Sequence, residues 1–316
     1  MSFGIPLRSG VSVGAASVAT LGSWSRTSVN DFRVAMPAGS TYTRAGSATA
    51  ITSAGVIQTF AADAPQRTDR GLALEPAATN LLLYSQDFSN VSWSNTNATV
   101  SANATTAPDG TTTADKLISD LVLGQHRTNQ TPTSSAGTQT LSVFAKPAGY
   151  DFVTLRLNTI GGAAGFNAGT GEIVGSGTGF TTSILAAANA FYRCTIIVTG
   201  AAANAIARFN TSPTTNFDFA GDGVSGAFLW QAQLELGSVA TSPIVTTTAQ
   251  ASRSLPVFTE PVPAGRTKAR LAYADGTTTL VTGLTPGGTF DVATAVIAAG
   301  KGQFGASELV TRVWYP

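Results

Sequence analysis

The side chains best suited to hold a sugar fall at one spacing in one short stretch. Between Tyr150 and Asn158, the residues Phe152, Thr154, Arg156 and Asn158 recur at every second position. In a strand, that period places them on one face. An aromatic ring meets the C–H faces of a pyranose, while guanidinium and amide groups bond its hydroxyls. Tyr150, the neighbouring pair His126 and Arg127, and Trp93 offer the same chemistry. Each has a plainer reading beside it: Phe152 and Trp93 as core, Arg156 as a solvated edge residue. Other chemistries are thinly provided. One cysteine, Cys194, excludes an intrachain disulfide or a cysteine-rich zinc cluster, and one histidine, His126, excludes a histidine-rich metal site. Cys194 sits in an alternating segment with Ile196 and Val198 on its own face, which reads as a buried thiol. Glycan cleavage needs two carboxylates at a set separation, and no motif marks such a pair. There is no P-loop and no histidine pair. The expectation is a binding protein and not an enzyme.

These residues need elements to position them, and the composition says which kind. Of 316 residues, 11% are charged, 43% are hydrophobic and 33 are glycine. An average domain has about 25% charged residues. The apolar content and the net charge of +1 argue against disorder. Eighteen Lys and Arg against 17 Asp and Glu argue against a basic nucleic-acid binder. No apolar run reaches the ~18 residues of a membrane span. The start of the chain makes a poor signal peptide, so no membrane insertion and no secretion leader are expected. A surface so poor in charge should bind through hydroxyls, amides and ring faces, with weak dependence on salt.

Helical periodicity is almost absent. Short Thr- and Val-rich stretches are separated by Gly, Pro, Asn and Asp, the pattern of an all-β chain. Residues 1–70 are rich in small side chains and read as an extended arm for oligomerisation and anchoring. Residues 71–250 form the main domain, with strands near 141–146, 152–158, 191–198 and 228–236. In the last of these, Trp230, Ala232, Leu234 and Leu236 share a face by period two, opposite Gln231, Gln233 and Glu235. The Ala-rich runs 185–190 and 201–207 read as loops or strand edges. Residues 251–316 read as a small β domain, with a hairpin at Asp275-Gly276 and strands at 289–297 and 308–316. About 66 residues is marginal for independent stability, so oligomerisation is expected to help.

Three stretches of the main domain carry a resemblance. The first is Leu74-Glu75-Pro76-Ala77-Ala78-Thr79-Asn80-Leu81-Leu82-Leu83-Tyr84, within residues 71–88, with Trp93 soon after. The second is Ala107-Pro108-Asp109-Gly110-Thr111-Thr112-Thr113-Ala114-Asp115-Lys116-Leu117. The third is Trp230-Gln231-Ala232-Gln233-Leu234-Glu235-Leu236-Gly237, followed by Thr241-Ser242-Pro243-Ile244. In order and spacing they resemble the carbohydrate-binding-module-like jelly rolls of tailed-bacteriophage virion proteins, a group that extends to phage-like particles such as gene transfer agents.

The resemblance implies an all-β fold with a central β-sandwich jelly roll, between the N-terminal arm and the small C-terminal β domain. It implies a fibre or spike subunit on a virion surface, made in the bacterial cytoplasm, that attaches the particle to host cell-surface or capsular polysaccharide. Its partners would be that polysaccharide, other virion proteins (capsid, portal or neck, or tail) and further copies of itself, as a trimer or pentamer. Such jelly rolls often hold a structural Ca²⁺, and Asp87 and Glu235 would be its ligands here. The competing readings are a purely structural decoration, neck or tail adaptor protein, and a glycan-degrading tail spike.

Overall fold

Alternation of apolar and polar side chains organises the chain into sheets that cover one another. The computed structural model describes residues 29–157, 163–301, 304 and 309–316. Within them the fold is all-β with sandwich-like packing and one short α-helix.

Two six-stranded antiparallel sheets make the sandwich. The long-strand sheet runs, in spatial order, Phe180–Ala186, Tyr192–Ala201, Gly137–Ala148, Gly226–Leu236, Ala114–Ser119 and Ala98–Thr105. The short-strand sheet runs Glu172–Gly175, Ala164–Asn167, Phe152–Leu157, Ala207–Ser212, His126–Gln130 and Ser94–Thr96. Leu141, Val143, Cys194, Ile196, Ala232 and Leu234 from the first meet Val153, Leu155, Phe166 and Phe209 from the second, all buried. Cys194 packs in this core as expected, and burial pushes its thiol well above the usual range.

One local event changes the expected face of a central strand. Ser142 pairs with Gln233 but Phe144 pairs with Trp230, so one extra residue bulges between them. The backbone of Gln231 turns to φ 51 to accommodate it. A bulge of one residue reverses which face the following side chains take. Ala232 and Leu234 therefore point into the sandwich, while Trp230 points out the other side. There Trp230 packs on Phe144, ring centroids 5.2 Å apart, beside Phe191, Ile51 and Ile57. Its indole N–H donates to Thr113 Oγ1 at 3.0 Å. Trp230 thus does not share a face with Ala232 and Leu234, contrary to the simple period of two.

Strand pairing and a shared core cross the boundary expected at residue 70. Val29–Asp31 pairs with Val310–Trp314, and Thr41–Thr43 pairs with Val257–Pro261. Phe32, Leu72 and Leu74 share a second core with Phe258, Leu271, Val313 and Tyr315. The described residues up to Thr43 therefore fold into the C-terminal β unit and add Phe32 to its core, whereas the hairpin of Ala48–Ile51 and Ile57–Phe60 packs through Ile51 and Ile57 on Trp230 and Phe144 of the long-strand sheet. Residues 1–28 lie outside the described residues. Within the same unit, 289–297 is not one strand. Thr289–Asp291 leads into the helix Val292–Ala298, whose N-cap Asp291 accepts from the Thr294 N–H at 3.0 Å.

Candidate functional site

The outer face of the short-strand sheet gathers the polar residues that could grip a ligand. Three strands contribute by strict alternation. On Phe152–Leu157, Val153, Leu155 and Leu157 point into the core, leaving Phe152, Thr154 and Arg156 outward. On Ala207–Ser212, Ala207 and Phe209 point inward, leaving Arg208 and Asn210 outward. On His126–Gln130, Arg127 and Asn129 are the half-buried outward pair between buried His126, Thr128 and Gln130.

Register then sets the pattern. Arg208 lies directly opposite Arg156 on one side and Asn129 on the other. One step along, Asn210 lies between Arg127 and Thr154. The next position pairs Ser212 with Phe152. With strands about 4.8 Å apart and same-face neighbours about 6.7 Å apart, the span from Arg127 to Arg156 suits one or two sugar rings.

Three guanidiniums, those of Arg127, Arg156 and Arg208, therefore crowd one face. Among the described residues no carboxylate forms an ion pair with any of them. Their Nε atoms are shielded from water and have no hydrogen-bond partner among the described residues. Gln125 Oε1 accepts from Arg127 Nη1 at 3.3 Å and from Asn210 Nδ2 at 3.4 Å. Burial, then the charges of Arg127 and Arg156, hold the Arg208 guanidinium below its ordinary pKa.

Of the residues picked out by sequence, Phe152, Arg127 and Arg156 belong to this face, and Asn158 lies outside the described residues. The others sit elsewhere. Trp93 is buried against Phe88 and Phe209, with its indole N–H donating to Tyr84 O at 3.1 Å. Tyr150 is buried edge-on to Phe219. His126 is wholly buried, with Nδ1 2.5 Å from Asn97 O and Nε2 3.0 Å from Phe219 O. Sequence reasoning missed Arg208, Asn210 and Asn129. The available signal was the alternation of Ala207, Phe209 and Thr211 with Arg208, Asn210 and Ser212, obscured by the Ala-rich run before it.

Asp87 and Glu235, the expected cation ligands, have different surroundings. The Asp87 carboxylate accepts from Ser89 N at 3.1 Å and Ser89 Oγ at 2.6 Å within its own turn. Glu235 is buried, and both of its oxygens accept from Thr241, from the backbone N–H at 3.0 Å and from the hydroxyl. The charge acting on Glu235 is the guanidinium of Arg193, which opposes the rise that burial imposes on its pKa. Both oxygens of Glu235 are therefore engaged by donors, whereas the donors to Asp87 both fall on Oδ1. Among the described residues no cluster of three or more Asp, Glu, His or Cys could hold one.

The motif residues around Glu235 instead cement the fold. The segment 241–246 lies across the long-strand sheet. Ile244 N donates to Gln233 Oε1 at 2.8 Å, and Gln231 Nε2 donates to Ile244 O at 2.9 Å. Asn80 donates to Ala232 O and Ile244 O and accepts from Leu234 N. Glu75 accepts from Ser242 N at 2.7 Å and pairs with Arg253 at 3.0 Å, all buried. The Gln231, Gln233 and Glu235 face is therefore covered by the chain itself.

One catalytic spacing, Gly10-Val11-Ser12-Val13-Gly14, matches a nucleophile elbow but lies outside the described residues. The single histidine that a Ser–His pair would need, His126, has both ring nitrogens on backbone carbonyls.

No protein family and no curated protein sequence matches the chain. Among solved structures, the enzymatically active domain of tailspike protein 4 from bacteriophage CBA120 is similar over 49% of this chain, at 18% identity and a TM-score of 0.32. The match covers 21% of that chain.

Proposed function

We propose that this chain is a non-enzymatic surface subunit of a phage-like particle that attaches it to host polysaccharide, through the outer face of the short-strand sheet. One observation carries the reading: half-exposed Arg127, Asn129, Arg156 and Arg208 converge from three neighbouring strands around buried Asn210, with Phe152 half-exposed at the end of the same face. That is a bonding surface for hydroxyls beside a ring for a sugar face. The named residues include no Asp or Glu, whereas glycoside cleavage needs two carboxylates. Copies of the chain on one particle would multiply a weak single-site affinity.

The test is binding of the purified full-length chain to host cells and to isolated host surface polysaccharide, with the polymer's chain length measured afterwards. Binding with chain length unchanged is expected. Absence of binding, together with unchanged attachment of particles lacking the protein, overturns the attachment role. Shortened polymer overturns the non-enzymatic part. A purely structural decoration, neck or adaptor role is the second reading, and the burial of Trp93, Tyr150 and Trp230 favours it.

A further inference from the structure

We infer that the ligand of this face carries negative charge: an oxyanion-bearing polysaccharide, with carboxylate, sulfate or phosphate groups on its sugars. The inference deepens the polysaccharide reading and rests on it. A neutral glycan would be served by amides and a single arginine. This face instead places Arg208 directly opposite Arg156 and one step from Arg127, with no acid to balance them among the described residues. Several arginines elsewhere are matched with acids, and others lie singly against carbonyls or hydroxyls, as Arg44, Arg67 and Arg270 do. Arg33 and Arg312 both pair with Asp31, and Arg253 pairs with Glu75. Buried Arg193 donates to Thr241 O and Ser142 Oγ and faces the charge of Glu235.

The planar guanidinium fork matches the two oxygens of a carboxylate, sulfate or phosphate, which a point-charge lysine does not. The half-exposed amide of Asn129 lies opposite Arg208 and can bond a ring hydroxyl flanking an acidic group, while buried Asn210 donates to Gln125 beneath the guanidiniums. Like charges held together and partly desolvated are relieved when an anion enters. Low overall charge predicts weak salt dependence, but local concentration of charge at the contact reverses that expectation.

The test uses the full-length chain and three polymers: polygalacturonate, dextran sulfate and neutral dextran, each at 50 and 500 mM NaCl. Affinity for at least one acidic polymer is expected to exceed that for neutral dextran tenfold or more, and to fall at high salt. Arg208→Gln and Arg156→Gln should each lose tenfold or more. Lys268→Gln, which removes one charge from an exposed lysine of the other β unit, should lose nothing. Binding of polygalacturonate alone identifies uronate carboxylates; binding of dextran sulfate alone identifies sulfate-type oxyanions; either supports the inference. Equal binding of neutral and acidic polymers, unaffected by the arginine substitutions, overturns it and leaves the polysaccharide reading standing. Equal loss in Lys268→Gln also overturns it, because attraction would then be general. Failure to bind these polymers, the host polysaccharide and host cells overturns the attachment reading itself.

Discussion

Glu260 should make the C-terminal β unit less stable as pH rises through neutrality, and Glu260→Gln should abolish the effect. Its carboxyl is buried on the strand Val257–Pro261. Oε2 accepts from Tyr315 Oη at 3.1 Å and from Asn30 Nδ2 at 3.4 Å, while Oε1 has no partner among the described residues. Burial outweighs these two bonds and lifts the pKa from 4.5 to about 7. The unfolded chain releases this proton above its ordinary pKa, whereas the folded chain holds it until near neutrality. Below pH 4.5 both states are protonated and nothing is lost. Between those values stability falls by about 1.4 kcal/mol per pH unit, and it levels off above pH 7. The sum is about 3 kcal/mol. Glutamine has the shape of the protonated acid and never ionises. In urea unfolding from pH 4.5 to 8, Glu260→Gln should match the parent at the acid end. At pH 8 its midpoint should lie about 1 M higher, for a slope of about 3 kcal/mol/M. The difference between the two profiles cancels the titration of every other group. Parallel profiles, or a variant weaker than the parent at pH 8, would refute the reasoning.

Other outcomes follow from the same geometry. Glu75→Gln leaves the Arg253 charge buried without its partner and replaces one of the two oxygens that accept from Ser242 with an amide donor. It should cost about 3–5 kcal/mol by chemical denaturation, and Glu75→Gln with Arg253→Met should recover part of that. Arg208→Gln should act oppositely, raising stability by about 0.5 kcal/mol through loss of like-charge repulsion in a half-exposed cluster, a gain that shrinks in 0.5 M salt. A calorimetric scan in which this variant melts lower would show that the arginine is structural. Gly226→Ala should cost about 3 kcal/mol or more, because the added Cβ would run into the backbone carbonyl of Leu117 on the neighbouring strand. Unchanged melting would place that strand contact in doubt.

The all-β character was legible because it depends on side-chain alternation, which is local. Cys194, Ile196 and Val198 fall on the core face as their spacing requires, and the Asp275-Gly276 turn joins Lys268–Tyr273 to Thr278–Thr282. What failed to read depended on partners far along the chain. Nothing in Trp230-Gln231-Ala232 asks for a positive φ, so the bulge at Gln231 is set by its pairing with Ser142 and Phe144. The polar face of Gln231, Gln233 and Glu235 is also decided by a distant partner. It is covered because 241–246 folds back over it, a contact that periodicity does not encode. Likewise Phe32 and Leu72 found their core across more than two hundred residues, in a unit that looked separate. The candidate face was half legible: Phe152, Arg127 and Arg156 could be placed on outward positions one strand at a time. Arg208, the residue that joins them, became visible only through the register of the strand between.

That joining explains why an average is a poor guide to this chain's electrostatics. A charged fraction of 11% dilutes every charge across the surface on paper. The fold does not dilute them. It matches several arginines with acids and collects three others where strand pairing holds them side by side. Cross-strand like charges weaken a sheet, and glutamine or threonine would satisfy the same outward positions without that cost. Packing therefore gives no reason for arginine at all three. The anionic ligand proposed above would supply one, because the charge it brings would relieve the repulsion that the free protein carries at this face.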